Sequence, residues 1–218
     1  MVALMASVWQ PARSAGGVGS VIRALLLASM ATAATGAAWS QADEARAKKI
    51  VGGSCIICHG AQGESTSDLF PKLAGQHAEY ISRQLANFKS GTRKNRDMAD
   101  MVARLKADEM QAIGRYYEKM QLPKEPVRDA ELAARGKAIY RLGNPTSGLS
   151  SCASCHGADA LGSAALPRLA GQIAGYTETQ LKHFQTRERT NDNADMQAVA
   201  RAMSPAEMAA VAHYLESQ

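Results

Sequence analysis

Aromatic side chains make up only 5% of this 218-residue chain, and both Trp residues, Trp9 and Trp39, fall within its first 42 positions. Past that point only three Phe and six Tyr remain. Segments of roughly 80 to 95 residues bury little surface on their own. With so few large apolar groups, each core needs filling from another source. Stretches that alternate apolar and polar residues are also missing, which excludes a half-buried sheet and points to an all-α chain. Neither sign of charge dominates: the formal net charge is +5, with 13 basic against 10 acidic residues over 43–122 and 10 against 10 over 123–218. The interleaved signs give nucleic-acid binding no support, while the basic excess of the first half suits steering toward an acidic partner. Cysteine is limited to four residues.

A long hydrophobic run is absent too. The most apolar stretch opens at Ala24-Leu25-Leu26-Leu27-Ala28-Ser29-Met30, after Arg13 and Arg23, and continues through small residues to Ala38. At about 15 residues it falls short of the ~20 that cross a bilayer. Ser40-Gln41-Ala42 then offers small residues at the −3 and −1 positions of a cleavage site. Residues 1–42 are therefore expected to be a signal peptide that is cleaved rather than kept as an anchor.

What is present is one pentapeptide used twice, Cys55-Ile56-Ile57-Cys58-His59 and Cys152-Ala153-Ser154-Cys155-His156. C-x-x-C-H is the attachment signature of a c-type haem. Its two thiols can form thioethers with the two vinyl groups of one haem, and the His that follows can ligate the iron. All four cysteines are used in this way, which leaves none for a disulfide. A thioredoxin-like centre would need a βαβ pattern, and a four-cysteine zinc site would not call for His after both pairs. Two covalent haems also supply the bulk that the aromatic-poor cores need. Covalent haem attachment resembles the maturation of bacterial cytochromes c, which follows translocation, so the periplasm is the expected compartment.

The motifs sit in an internal repeat with a period close to 97 residues. Pro71 matches Pro167, and Leu73-Ala74-Gly75-Gln76 matches Leu169-Ala170-Gly171-Gln172. Tyr80, Gln84, Leu85 and Phe88, spaced as one face of a helix, match Tyr176, Gln180, Leu181 and Phe184. The repeat divides the chain into an N-terminal domain over 43–122, a linker over 123–128 stiffened by Pro123 and Pro126, and a C-terminal domain over 129–218. Further helices are expected over Asp43 to Ile50, from Met110 to Met120, over Glu131 to Tyr140, and after Ser204-Pro205-Ala206-Glu207, which reads as a capping box with Pro at N1.

A second iron ligand must come from elsewhere. Met98 lies 39 residues after His59, and Met196 lies 40 after His156. Each follows a polar loop, Thr92 to Asp97 or Arg187 to Asp195, and an Asp. Met is the usual partner of His in cytochromes c. Met101 is the nearest rival, but Val199 stands at its repeat position; Met110 and Met208 match each other yet lie on helical stripes that suit the core. His77, His183 and His213 face Ile173, Asn87 and Arg115 in the repeat, so none serves both halves.

With these residues in place, the chain over 43–218 resembles the diheme cytochrome c4 family, two class I cytochrome c domains in tandem. The resemblance rests on Cys55–Gly60, Phe70–Gln76, Met98 and their second-half equivalents. It implies that the Pro71 and Pro167 carbonyls accept a hydrogen bond from Nδ1–H of the proximal His. It also implies haems close together across the domain interface, and electron delivery to a membrane-bound respiratory complex such as a terminal oxidase. The expected function is thus electron carriage between redox protein partners. Peripheral membrane association stays open. The competing readings are a redox subunit of a larger oxidoreductase complex and a diheme peroxidase, which needs an open iron site.

Overall fold

The computed structural model describes residues 40–122, 124–191 and 193–218. The expected signal segment lies outside these residues except for its last three positions. The N-terminal half contains α1 (Gln41–Ile50), α2 (Ile56–His59), α3 (Ala78–Ser90), α4 (Arg96–Val102) and α5 (Ala107–Glu118). The C-terminal half repeats them as α6 (Ala130–Leu142), α7 (Ala153–His156), α8 (Ala174–Thr186), α9 (Asp195–Arg201) and α10 (Pro205–Glu216). Among the described residues there is no strand, only one isolated antiparallel bridge between Asn144 and Leu149. No described helix is long and apolar enough to cross a membrane.

Several helices begin where a side chain satisfies one of their free N–H groups. Ser40 Oγ accepts from the Asp43 amide at 3.1 Å, so α1 starts two residues before the expected Asp43. Asp129 caps α6 through the Leu132 amide at 2.9 Å. Ser204 and Glu207 form the expected capping box of α10, with Pro205 at N1. Two expectations need correction. The polar segments before Met98 and Met196 do not run as loops up to the methionines. Asn95 Oδ1 accepts from the Met98 amide at 2.9 Å and opens α4 at Arg96, so Met98 lies in a helix. Met196 is likewise the second residue of α9. Met120, expected inside the last helix of its half, lies just past the end of α5.

In each half two helices pack on the last one, α1 and α3 against α5, and α6 and α8 against α10. At the α6–α10 crossing a Cβ on Gly136 would collide with the Ala210 carbonyl oxygen, so the close approach requires glycine. The approach to the first motif is a single turn of π-helix, Val51–Cys55, that continues α1 into α2. The second motif is reached differently. Helix α6 stops at Gly143, and the Asn144–Leu149 bridge closes a loop before Cys152.

Candidate haem sites and the interface between them

Each C-x-x-C-H segment closes in one helical turn, Ile56–His59 or Ala153–His156, that carries the second cysteine and the histidine side by side, with the first cysteine as its N-cap residue. The four cysteines form no disulfide. Burial pushes the Cys55 thiol above its ordinary range and the Cys152 thiol up to about 11, so neither is an activated thiolate. His59 and His156 are buried, at 7% and 5% exposure.

The histidine tautomer follows from the partners. His59 Nδ1 lies 2.9 Å from the Pro71 carbonyl oxygen, and His156 Nδ1 lies 3.1 Å from that of Pro167. A carbonyl only accepts, so Nδ1 carries the proton in each ring. The Nε2 lone pair is then available to a metal. Burial lowers both imidazole pKa values, with the proline hydrogen bond opposing it in part, and so keeps the rings neutral. This donor set fits a haem iron: a neutral, oriented imidazole beside two thiols on one turn.

The methionines singled out by the repeat are half-buried and attached to the cores. Met98 packs against a cluster of Phe88, Val102 and Met110. Met196 and Cys152 pack against one and the same C-terminal cluster. Met101 is 54% exposed, and Met110 and Met208 are fully inside at 4% and 0%. His77 Nε2 is 2.7 Å from the Leu161 carbonyl, and His183 Nε2 is 3.2 Å from the Glu188 carboxylate.

Sequence reasoning did not find the polar interface between the halves, which contains two reciprocal sets of contacts. In the first, Gln76 reads the backbone of Arg168, with Nε2 donating to its carbonyl and Oε1 accepting from its amide, both at 2.9 Å. Gln172 does the same to Lys72, again at 2.9 Å on both sides. In the second set, Arg93 donates to Gln84 at 2.9 Å in its own half, and to Tyr176 OH and Gln180 at 2.9 and 3.0 Å in the other. Arg189 donates to Gln180 at 2.9 Å and across to Tyr80 OH at 3.0 Å. Each guanidinium also lies over its own half's Phe ring, at 4.6 Å for Arg93 on Phe88 and 4.5 Å for Arg189 on Phe184.

Among the described residues no carboxylate pairs with either arginine, although Arg189 is only 9% exposed. The field of this pair reaches Tyr80: burial pushes its phenol up, but the charges of Arg189 and Arg93 outweigh that and hold it below its ordinary value. A half-buried and a buried cation with neutral partners suit an anionic group between the halves. The signal that could have found them was the register of Arg93 with Arg189, each nine residues after a glutamine on a buried helical face.

Comparison with known proteins agrees with this architecture. A family model described as cytochrome c matches twice, over 44–121 and 133–218. The chain is 44% identical over 181 residues to a cytochrome c4 of Thiocapsa roseopersicina, covering 81% of this chain and 91% of that one. It is 35% identical over 170 residues to a thiosulfate dehydrogenase electron acceptor of Thiomonas intermedia, covering 76% and 78%. Among solved structures, reduced recombinant cytochrome c4 from Pseudomonas stutzeri superposes with a TM-score of 0.75 at 32% identity, over 80% of this chain and 97% of that one.

Proposed function

The chain belongs to the cytochrome c family, and we propose that it works in the periplasm as an electron carrier whose two irons are ligated by His59 with Met98 and by His156 with Met196. It is an electron-transfer protein rather than an enzyme, and it carries two covalently attached haem c groups. In this reading Cys55 and Cys58 hold one haem, and Cys152 and Cys155 the other. The observation that carries the ligand assignment is the pair of buried, neutral histidines whose Nδ1–H is given to a proline carbonyl. That bond fixes the ring and raises the basicity of Nε2.

Each haem supplies a one-electron Fe(II)/Fe(III) couple. The protein's part is to close the coordination sphere and set the surroundings. As ligands, the thioethers of Met98 and Met196 would favour Fe(II) and would leave no open position for oxygen or peroxide. Arg93 and Arg189, with Tyr80 and Tyr176, would offer positive charge and hydroxyls to haem carboxylates reaching the interface. Export through residues 1–42, with cleavage near Ala42, would deliver the chain to the compartment where attachment occurs.

The partners are redox proteins. A membrane terminal oxidase is the acceptor this reading favours. The relative from Thiomonas intermedia, described as an electron acceptor of thiosulfate dehydrogenase, supports a second reading in which such a dehydrogenase is the donor. The test is a redox titration followed by optical and magnetic spectra. The holoprotein should show two Met-to-iron charge-transfer signals, and Met98→Ala should abolish one while both haems stay attached. An unchanged spectrum would move the ligand elsewhere, with Met101 the first suspect. Rapid-mixing rates with a membrane oxidase and with a thiosulfate dehydrogenase separate the two partner readings.

A further inference from the structure

The Gln76 and Gln172 contacts are connected to the proximal histidines. The peptide group that joins Pro71 to Lys72 is engaged at both ends. Its oxygen accepts from His59 Nδ1 at 2.9 Å, and its N–H donates to Gln172 Oε1 at 2.9 Å. The peptide joining Pro167 to Arg168 is used in the same way, accepting from His156 Nδ1 at 3.1 Å and donating to Gln76 Oε1 at 2.9 Å. The orientation of each glutamine amide is fixed by its partners, because the same side chain donates through Nε2 to the next carbonyl, that of Lys72 or Arg168. Gln76 is 7% exposed, and its oxygen also accepts from the His77 amide at 3.1 Å; Gln172 accepts from Ile173 at 3.0 Å.

Hydrogen bonds in series polarise one another. An N–H that donates to a glutamine oxygen draws charge through the peptide and makes its carbonyl a better acceptor. A better acceptor strengthens the bond from Nδ1–H and makes the imidazole a more basic ligand. A more basic ligand favours Fe(III). We propose that Gln172 is a positioning residue that lowers the reduction potential of the haem in the N-terminal half, and that Gln76 does the same for the haem in the C-terminal half. Each glutamine acts across the interface on the centre that its own half does not contain. Docking or loosening of the halves would therefore alter both potentials together. This rests on the assignment of His59 and His156 as iron ligands.

The test is a pair of holoprotein variants, Gln172→Leu and Gln76→Leu, with the two potentials resolved by haem-specific NMR signals during reduction. Gln172→Leu should raise the potential of the N-terminal haem and leave the other nearly unmoved; Gln76→Leu should do the reverse. In reduced protein the 15N signal of His59 Nδ1 should shift in Gln172→Leu and not in Gln76→Leu. A merely structural role predicts otherwise. Loosening the interface would admit water, stabilise the charged Fe(III) state and lower a potential. A fall, no change, or a larger shift in the glutamine's own half would overturn the proposal. If the Leu variants do not assemble, Gln172→Glu keeps an acceptor at the Lys72 amide and should move the His59 Nδ1 signal in the sense of a stronger bond; an unmoved signal would overturn the proposal as well. Spectra of the unaltered protein lacking histidine ligation would overturn the ligand assignment itself. Histidine-ligated haems whose potentials ignore both glutamines would overturn only the tuning.

Discussion

In the N-terminal half the fully buried tyrosine is Tyr117, on the last helix, and it shares a cluster with Val51. In the C-terminal half it is Tyr140, on the first helix, and it shares a cluster with Leu215. Val51 and Tyr140 each lie eleven residues after the N-cap of the first helix, Ser40 or Asp129. Tyr117 and Leu215 also correspond, since their carbonyls accept from Gly75 and Gly171. The large ring has thus changed sides while the pair keeps one large and one smaller member. A third position follows the exchange. A Cβ on Gly63 would meet the Tyr117 ring at 2.7 Å, whereas the matching Ala160, in the same left-handed conformation, is buried among the neighbours of Leu215. Duplicated domains can therefore drift in sequence at three coupled positions and keep one fold, because the core constrains total volume more than the identity of any residue.

The halves differ most in how much core they have without haem. The C-terminal half has one continuous cluster that runs from Tyr140 to Leu215. The N-terminal half has two smaller clusters, with Leu85 and Leu105 packed against both. Removing one haem at a time sharpens this contrast and carries the largest expected effect. Cys55→Ala with Cys58→Ala, and separately Cys152→Ala with Cys155→Ala, should each leave one covalent haem per chain. Amide hydrogen exchange should then collapse across α3–α5 in the first variant, and fall less across α8–α10 in the second. Equal loss of protection in both would mean that haem is the larger part of both cores, and that the difference in clusters has no energetic weight.

The exchanged tyrosines give a smaller test. Tyr140 OH donates to the Gly157 carbonyl at 2.6 Å, just past the second haem motif. Tyr117 OH is buried with no nitrogen or oxygen partner, and the half-buried Cys55 sulfur beside it is a weak one. Tyr140→Phe should cost about 1 kcal/mol, read as a fall of ~2–4 °C in Tm. Tyr117→Phe should leave stability unchanged or raise it by up to about 1 kcal/mol, because it removes an unsatisfied buried hydroxyl. A cost at Tyr117 matching that at Tyr140 would assign the Cys55 contact real strength and erase the contrast.

The repeat singled out candidate residues for haem attachment and iron ligation, since Cys, His and Met have chemistry that a spacing can select. It also made the helices legible wherever an apolar stripe met a cap, as at Ser204. It did not reveal α4, because Asn95-Arg96-Asp97 is polar throughout and its helix depends on one cap, Asn95 to the Met98 amide. The interface was illegible for a different reason. Gln76 and Gln172 stand in register in the two copies, but their partners lie 92 and 100 residues away. A glutamine in a loop has no pattern that names a distant peptide group. Arg93 and Arg189 sit in polar segments that read as solvated, and only folding brings them together.

The ends of α3 and α8 provide the finest comparison. Both helices finish on a left-handed residue whose N–H donates to a phenylalanine carbonyl at 3.3 Å, Gly91 to Phe88 and Arg187 to Phe184. The first has φ 78° and the second φ 68°, so only the N-terminal copy uses the residue that suits this conformation. Nothing lies within 4 Å of a Cβ on Gly91, so substitution there meets the backbone penalty without a clash. Gly91→Ala should therefore destabilise by about 1 kcal/mol, and Arg187→Gly should stabilise by about 0.5–1 kcal/mol after the greater freedom of an unfolded glycine is allowed for. Thermal unfolding of the two holoproteins should move in opposite directions, by roughly 2–4 °C or less. A loss of stability in both would mean that the exposed Arg187 side chain contributes more than its strained backbone costs, and the two helix ends would then differ in more than one residue's conformational preference.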